Sequence, residues 1–107
     1  MDLLEWLQNW YYQNCNGQWE HFYTIELASL DNPGWGVTIS LEDTELEFAA
    51  FDDVIINRSE IDWVDCKVQE KVFRAYGGPN NLKELIEIFR SWAMSQSGPG
   101  DSLPLSG

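Results

Sequence analysis

The chain is poor in the residues from which nucleophilic and metal sites are built. Its 107 residues include one histidine, His21, and two cysteines, Cys15 and Cys66. One histidine and two distant cysteines do not assemble the ligand set of a zinc site. Two cysteines are also too few for a disulfide scaffold and fit a reducing compartment, the cytoplasm. The opening "MDLLEWLQNW" contains two acids and no Lys or Arg, which argues against a signal peptide. No apolar run approaches the ~20 residues needed to span a bilayer. A Gly-rich phosphate loop is missing as well: Gly77-Gly78 is followed by Pro79 and two asparagines, which suit a helix start better. No internal repeat is visible.

Basic residues are the most telling scarcity. Residues 1–57 hold eleven acids and no Lys or Arg, whereas residues 58–107 hold seven acids and all six bases, for a net charge of −12. Such a field repels nucleic acid and anionic membranes and attracts cations or basic proteins. Acidity can also serve solubility alone, because net charge speaks to association and not to fold. Apolar material is plentiful: hydrophobic residues make up 44% and aromatics 14%, with six tryptophans, enough for a packed single-domain core.

Asp2-Leu3-Leu4-Glu5 has the capping-box pattern, and Leu3, Leu4, Leu7, Trp10 and Tyr11 follow as one helical stripe with Trp6 at its edge. Asn14, Asn16 and Gly17 supply residues that end helices. The period then changes. Tyr23, Ile25 and Leu27 alternate with polar neighbours from a strand that starts near Trp19, and Trp35, Val37, Ile39 and Leu41 alternate more cleanly. Between them "DNPG" has Pro and Gly in type II turn order, which predicts an antiparallel hairpin. Residues 42–53, "EDTELEFAAFDD", read as a loop or irregular crossing with six acids and two phenylalanines. Val54–Arg58, Ile61–Val68 and Val72–Tyr76 are further strand candidates, the last two joined by Gln69-Glu70-Lys71. "GGPNN" then caps a second helix with Leu82, Leu85, Ile86, Phe89, Trp92 and Ala93 on its apolar stripe. The expected fold is α+β: an N-terminal helix, an antiparallel sheet of about five strands and a C-terminal helix, with the helices on the sheet. Residues 1–94 form the domain, and 95–107 read as a flexible Gly/Ser/Pro tail.

Candidate chemistry is weak at each point. A Cys15–His21 nucleophile and base would need an electropositive setting, yet the first half is acidic and Cys15 lies in a helix C-terminal turn. Cys66 alternates with Val64 and Val68 and belongs to the core. Glu20 and His21, if both in a strand, point to opposite faces and cannot share a proton. The segment "EDTELE" lacks the ligand offsets and the turn glycine of a calcium loop. No catalytic residue, metal or cofactor is therefore assigned. Trp63 is out of phase with Val64, Cys66 and Val68, which puts it on the outer face as a candidate interface anchor. An acidic half with exposed aromatics suits recognition of a basic protein, charge giving on-rate and aromatics affinity.

"WLQNWYYQNCNGQWEHFYTIELASLDNPGWGVTISL" (6–41), "RSEIDWVDCKV" (58–68) and "GGPNNLKELIEIFRSWA" (77–93) together resemble the immunity protein 53 family. The markers are the Trp-Glu-His step, the Pro-Gly-Trp turn, the pair Asp62-Trp63 and the Gly-Gly-Pro helix start. The resemblance implies a small bacterial, non-enzymatic protein that binds a toxin encoded beside it. The expected partner is thus a cognate toxin, basic and by first guess a nuclease, with no nucleic acid or membrane partner. The expected contact residues are Glu42, Asp43, Glu45, Glu47, Asp52 and Asp53, with Trp63 as anchor. Two other classes stay open at this point: an acidic nucleic-acid mimic inhibiting a DNA- or RNA-binding protein, and a small Cys/His enzyme.

Overall fold

In the computed structural model, which describes residues 2–96, Asp2 opens helix α1 (Leu3–Asn14) with a complete capping box. The Asp2 carboxylate accepts the Glu5 N–H at 2.8 Å, and the Glu5 carboxylate accepts the Asp2 N–H at 3.1 Å. The buried face of α1 is turned slightly from the expected stripe. Leu7 and Trp10 are buried and Leu3 and Trp6 pack against the core, while Leu4 and Tyr11 are exposed. The reason is the partner surface: Trp6 and Trp10 both set their ring edges against Phe89, at 5.9 and 5.0 Å between centroids. Two indoles bury more apolar area there than Leu4 and Tyr11 could.

The segment after α1 differs from the expected strand. Trp19–Phe22 is a single helical turn, α2. Local side chains impose it: Asn16 Oδ1 accepts the N–H groups of Gln18 and Trp19, and the Glu20 carboxylate accepts those of Asn16 and Gly17. These bonds offer the backbone a turn in place of a ladder and override the alternating pattern. Gly17, at φ +91°, supplies the left-handed residue between the two helices.

The sheet follows: β1 (Ile25–Leu30), β2 (Gly34–Ser40), β3 (Val54–Ser59), β4 (Asp62–Gln69) and β5 (Val72–Gly77). It is antiparallel throughout, in the order β1-β2-β5-β4-β3. The first hairpin is antiparallel, as expected, with Ile25 opposite Ile39 and Leu27 opposite Val37. Its turn is not type II, because Gly34 already belongs to β2 and does not have the positive φ that the type II position requires. Gly34 is needed for close approach instead: a Cβ there would collide with the Gly77 carbonyl. The β4–β5 hairpin closes through Glu70 and Lys71, both at positive φ (54° and 61°), as a type I′ connection requires.

Helix α3 (Leu82–Gln96) buries Leu85, Ile86, Phe89, Trp92 and Ala93, the stripe expected from its sequence. It lies over β2, β5 and β4, and α1 packs beside it. Both long helices therefore share one face of the sheet, and Val37, Ile39, Val64, Cys66, Phe73 and Ala75 point up at them. Residues 97–107, most of the segment assigned to the tail, lie outside the described residues.

Candidate partner-binding surfaces

The acidic crossing between β2 and β3 is an irregular segment, as expected, but a firmly held one. Leu41 and Leu46 are fully buried, and Phe51 sets its ring against Phe73 and Trp92. Thr44 closes a turn on Leu41: its hydroxyl donates to the Leu41 carbonyl at 2.6 Å and accepts the Leu46 N–H. Two indoles pin the ends of the segment. Trp19 Nε1 donates to the Glu42 carbonyl at 2.9 Å, and Trp92 Nε1 donates to the Ala50 carbonyl at 2.8 Å. Such anchoring holds the backbone of the segment against the core.

Of the six acids, Asp43, Glu45, Asp52 and Asp53 are exposed, while Glu42 and Glu47 are half-buried. Glu47 is engaged within the fold: Lys71 Nζ donates to its carboxylate at 2.9 Å and sits 5.2 Å from the centroid of the exposed Phe48 ring. That hydrogen bond, with the charges of Glu47, Glu42 and Asp43, holds the Lys71 ammonium above the ordinary lysine value. Tyr23 is also raised, first by partial burial, then by a hydrogen bond to Glu42 and the charges of Glu42, Asp43 and Glu47. Glu42, Asp43 and Glu47 therefore form one negative centre around Lys71 and Tyr23, while Glu45 lies beside α1 and α3 with Asn9 and Gln13.

Trp63 does not join that centre. It lies half-buried on the outer face, opposite Asn57. The register aligns Gln69, six residues along the same strand, with Val72 and Ser40 at the acidic end, so Trp63 is roughly 20 Å from it at the usual strand rise. Its neighbourhood is a second cluster. Buried Asn81 donates from Nδ2 to Asp62 and Glu84, each at 3.0 Å, and Arg58 bridges the same two carboxylates at 3.0 and 2.6 Å. Trp35 Nε1 donates to the Pro79 carbonyl at 3.1 Å. Gly78 admits the Ile61 carbonyl where a Cβ would not fit. The Pro-Gly-Trp turn, the Asp62-Trp63 pair and the Gly-Gly-Pro start thus meet at one end of the sheet, where they lock strands to α3. Sequence reasoning did not find Arg58, Asp62, Asn81 and Glu84 as a unit, since they come from β3, β4 and the start of α3.

The Cys/His arrangement is not assembled. Cys15 Sγ donates to the Tyr11 carbonyl at 3.4 Å, one turn back in its own helix, and His21 stands exposed on α2. Glu20 spends its carboxylate on the Asn16 and Gly17 N–H groups, and backbone hydrogen bonding, from its own N–H first, holds it below the ordinary glutamate range. Cys66 is buried in the sheet, and burial together with Asp65 and Glu84 pushes its thiol up to about 12. Among the described residues no group of three or more His, Cys, Asp or Glu is placed to hold a metal ion. No helix among them is long and apolar enough to cross a membrane.

The result is a small α+β domain with an acidic segment anchored to its core. The chain belongs to the Immunity protein 53 family, whose model matches residues 4–94. It is thus an immunity protein of a polymorphic toxin system, a non-enzymatic inhibitor that neutralises a cognate toxin. Comparison with curated proteins and with solved structures gives no match.

Proposed function

We propose that this immunity protein acts in the cytoplasm on a toxin with a basic surface, a nuclease, and that the acidic crossing is its main electrostatic contact. The observation that carries this reading is the negative centre of Glu42, Asp43 and Glu47 with Lys71 engaged at it, Asp43 and the neighbouring Glu45 being open to solvent. Nuclease toxins must bind polyanions and so display positive charge, which such a centre attracts over a Debye length of roughly 10 Å. Holding the acids in place beforehand lowers the ordering cost of the complex. Asp52 and Asp53 extend the surface toward β3, and Trp63 is a separate anchor for a partner that reaches across the outer face. Co-expression tests the reading. Cells carrying the toxin encoded by the neighbouring gene should survive when this protein is present, and the two should co-purify at low salt and separate at high salt. Survival without any complex, or a complex indifferent to salt, removes the acidic crossing from the account.

A further inference from the structure

The two edges of the sheet are guarded unequally. At β3 the ladder shifts register between Asn57 and Ser59, and Arg58 leaves the strand to reach Glu84. Bulges and charges of this kind discourage a further strand from pairing. At β1, Ile25-Glu26-Leu27-Ala28-Ser29-Leu30, the pairing with β2 is regular and there is no Pro, Lys or Arg. Glu26, Leu27, Ala28 and Ser29 are all exposed.

The register shows which backbone groups are free. Ser40 N–H donates to the Thr24 carbonyl at 3.0 Å. Antiparallel ladders alternate bonded and non-bonded pairs, so Glu26, Ala28 and Leu30 also turn toward β2. Ile25, Leu27 and Ser29 then direct their N–H and C=O groups outward from the edge. Their side chains lie on the helix face, beside a groove of about 410 Å³ whose lining includes Leu7, Tyr11, Glu20, Tyr23 and Ile25. Leu27, opposite buried Val37, is 43% exposed because α3 lies over the inner strands only.

We infer that the β1 edge and the groove beside α1 form a strand-addition site for an extended segment of the toxin, a mode that rests on the toxin-binding reading above. The added strand continues the sheet by bonding to Ile25, Leu27 and Ser29. Alternate side chains of that strand enter the groove toward Leu7 and Tyr11 and are apolar. The intervening side chains face outward, where Glu26 stands, and are basic. Glu20 in the groove wall and the charges of Glu42 and Asp43 near Tyr23 add to the negative potential beside the edge and attract a segment that is basic as a whole. This pattern disfavours a second copy as occupant, since each chain carries −12 and β1 offers Glu26 with no cation to meet it.

Backbone hydrogen exchange, with the toxin domain encoded by the neighbouring gene as probe, reads the site directly. In the free protein the Leu27 and Ser29 amides should exchange far faster than those of Glu26 and Ala28. On toxin binding they should slow by at least about 100-fold. Leu27→Pro removes an outward N–H and leaves the β2 ladder whole, so it should weaken toxin binding roughly 10- to 100-fold with the melting curve kept. If that variant does not fold, Leu27→Lys puts a charge at the edge without touching the backbone and should weaken binding in the same direction. Tight toxin binding with Leu27 and Ser29 still unprotected overturns the strand-addition site and leaves the toxin-binding reading standing. No complex with the wild-type protein overturns both. Protection that grows with protein concentration in the absence of toxin places a second copy on the edge and also overturns the inference.

Discussion

Asn81→Ala isolates what holds the β-sheet to the start of α3. Asn81 is 6% exposed, and its Nδ2 serves two carboxylates at 3.0 Å while its Oδ1 accepts the Trp63 N–H at 3.4 Å. A hydrogen bond to a charged group contributes about 1.5–3 kcal/mol. The low end applies here, because Asp62 is about half exposed and both carboxylates keep Arg58. The Trp63 bond is long and adds little. The total is roughly 2–3 kcal/mol, which in a domain of this size lowers Tm by about 10–20 °C. Differential scanning calorimetry measures it. Asn81→Asp sharpens the test by placing a third carboxylate beside Asp62 and Glu84, with Arg58 as the shared cation. That variant should be less stable than Asn81→Ala at neutral pH and regain ground as the carboxylates protonate in acid. A loss under 2 °C for Asn81→Ala, or no pH dependence for Asn81→Asp, would refute the network as the lock between strands and helix.

Three further outcomes follow from the same structure. Trp19→Phe and Trp92→Phe each remove an indole bond that pins the acidic segment, so each should cost about 1 kcal/mol more than Trp10→Phe, whose buried Nε1 has no hydrogen-bond partner among the described residues; chemical denaturation compares them. In the native protein one thiol, Cys15, should react with an alkylating reagent, and Cys66 only after unfolding, as counted by mass spectrometry. Glu20 is held below its ordinary value by backbone hydrogen bonds, so its stabilisation is present above that value and is lost as pH falls through the lowered one. Glu20→Gln should accordingly flatten the acid side of the stability profile measured by urea titration.

Periodicity in the sequence was enough to read α1, α3, β2, β4 and β5, because each buries one face against the same core; the largely exposed edge strands β1 and β3 were read from their β-branched and apolar runs between turn signals. The type of the first turn was not legible: Pro33 and Gly34 stand in type II order, yet Gly34 serves strand packing against Gly77. The turn at Trp19–Phe22 escaped the alternating pattern because Asn16 and Glu20 cap it with side chains, an effect that period counting does not register. The acidic crossing was legible from composition, but its rigidity was not. That rigidity comes from Trp19 and Trp92, which lie far from it in sequence. The Arg58–Asp62–Asn81–Glu84 cluster was hidden for the same reason: residues of three elements meet only once the sheet is formed.

The central claim is that fixed, exposed acids bring the toxin in, and stopped-flow association with the neighbouring gene's toxin domain tests it most directly. The informative variant neutralises Asp43, Glu45, Asp52 and Asp53 to Asn or Gln and leaves Glu47 with Lys71. The account predicts that the association rate falls by about 10-fold or more at low ionic strength and loses most of its salt dependence, while thermal stability is unchanged. An unaltered rate with an unaltered salt slope would contradict it.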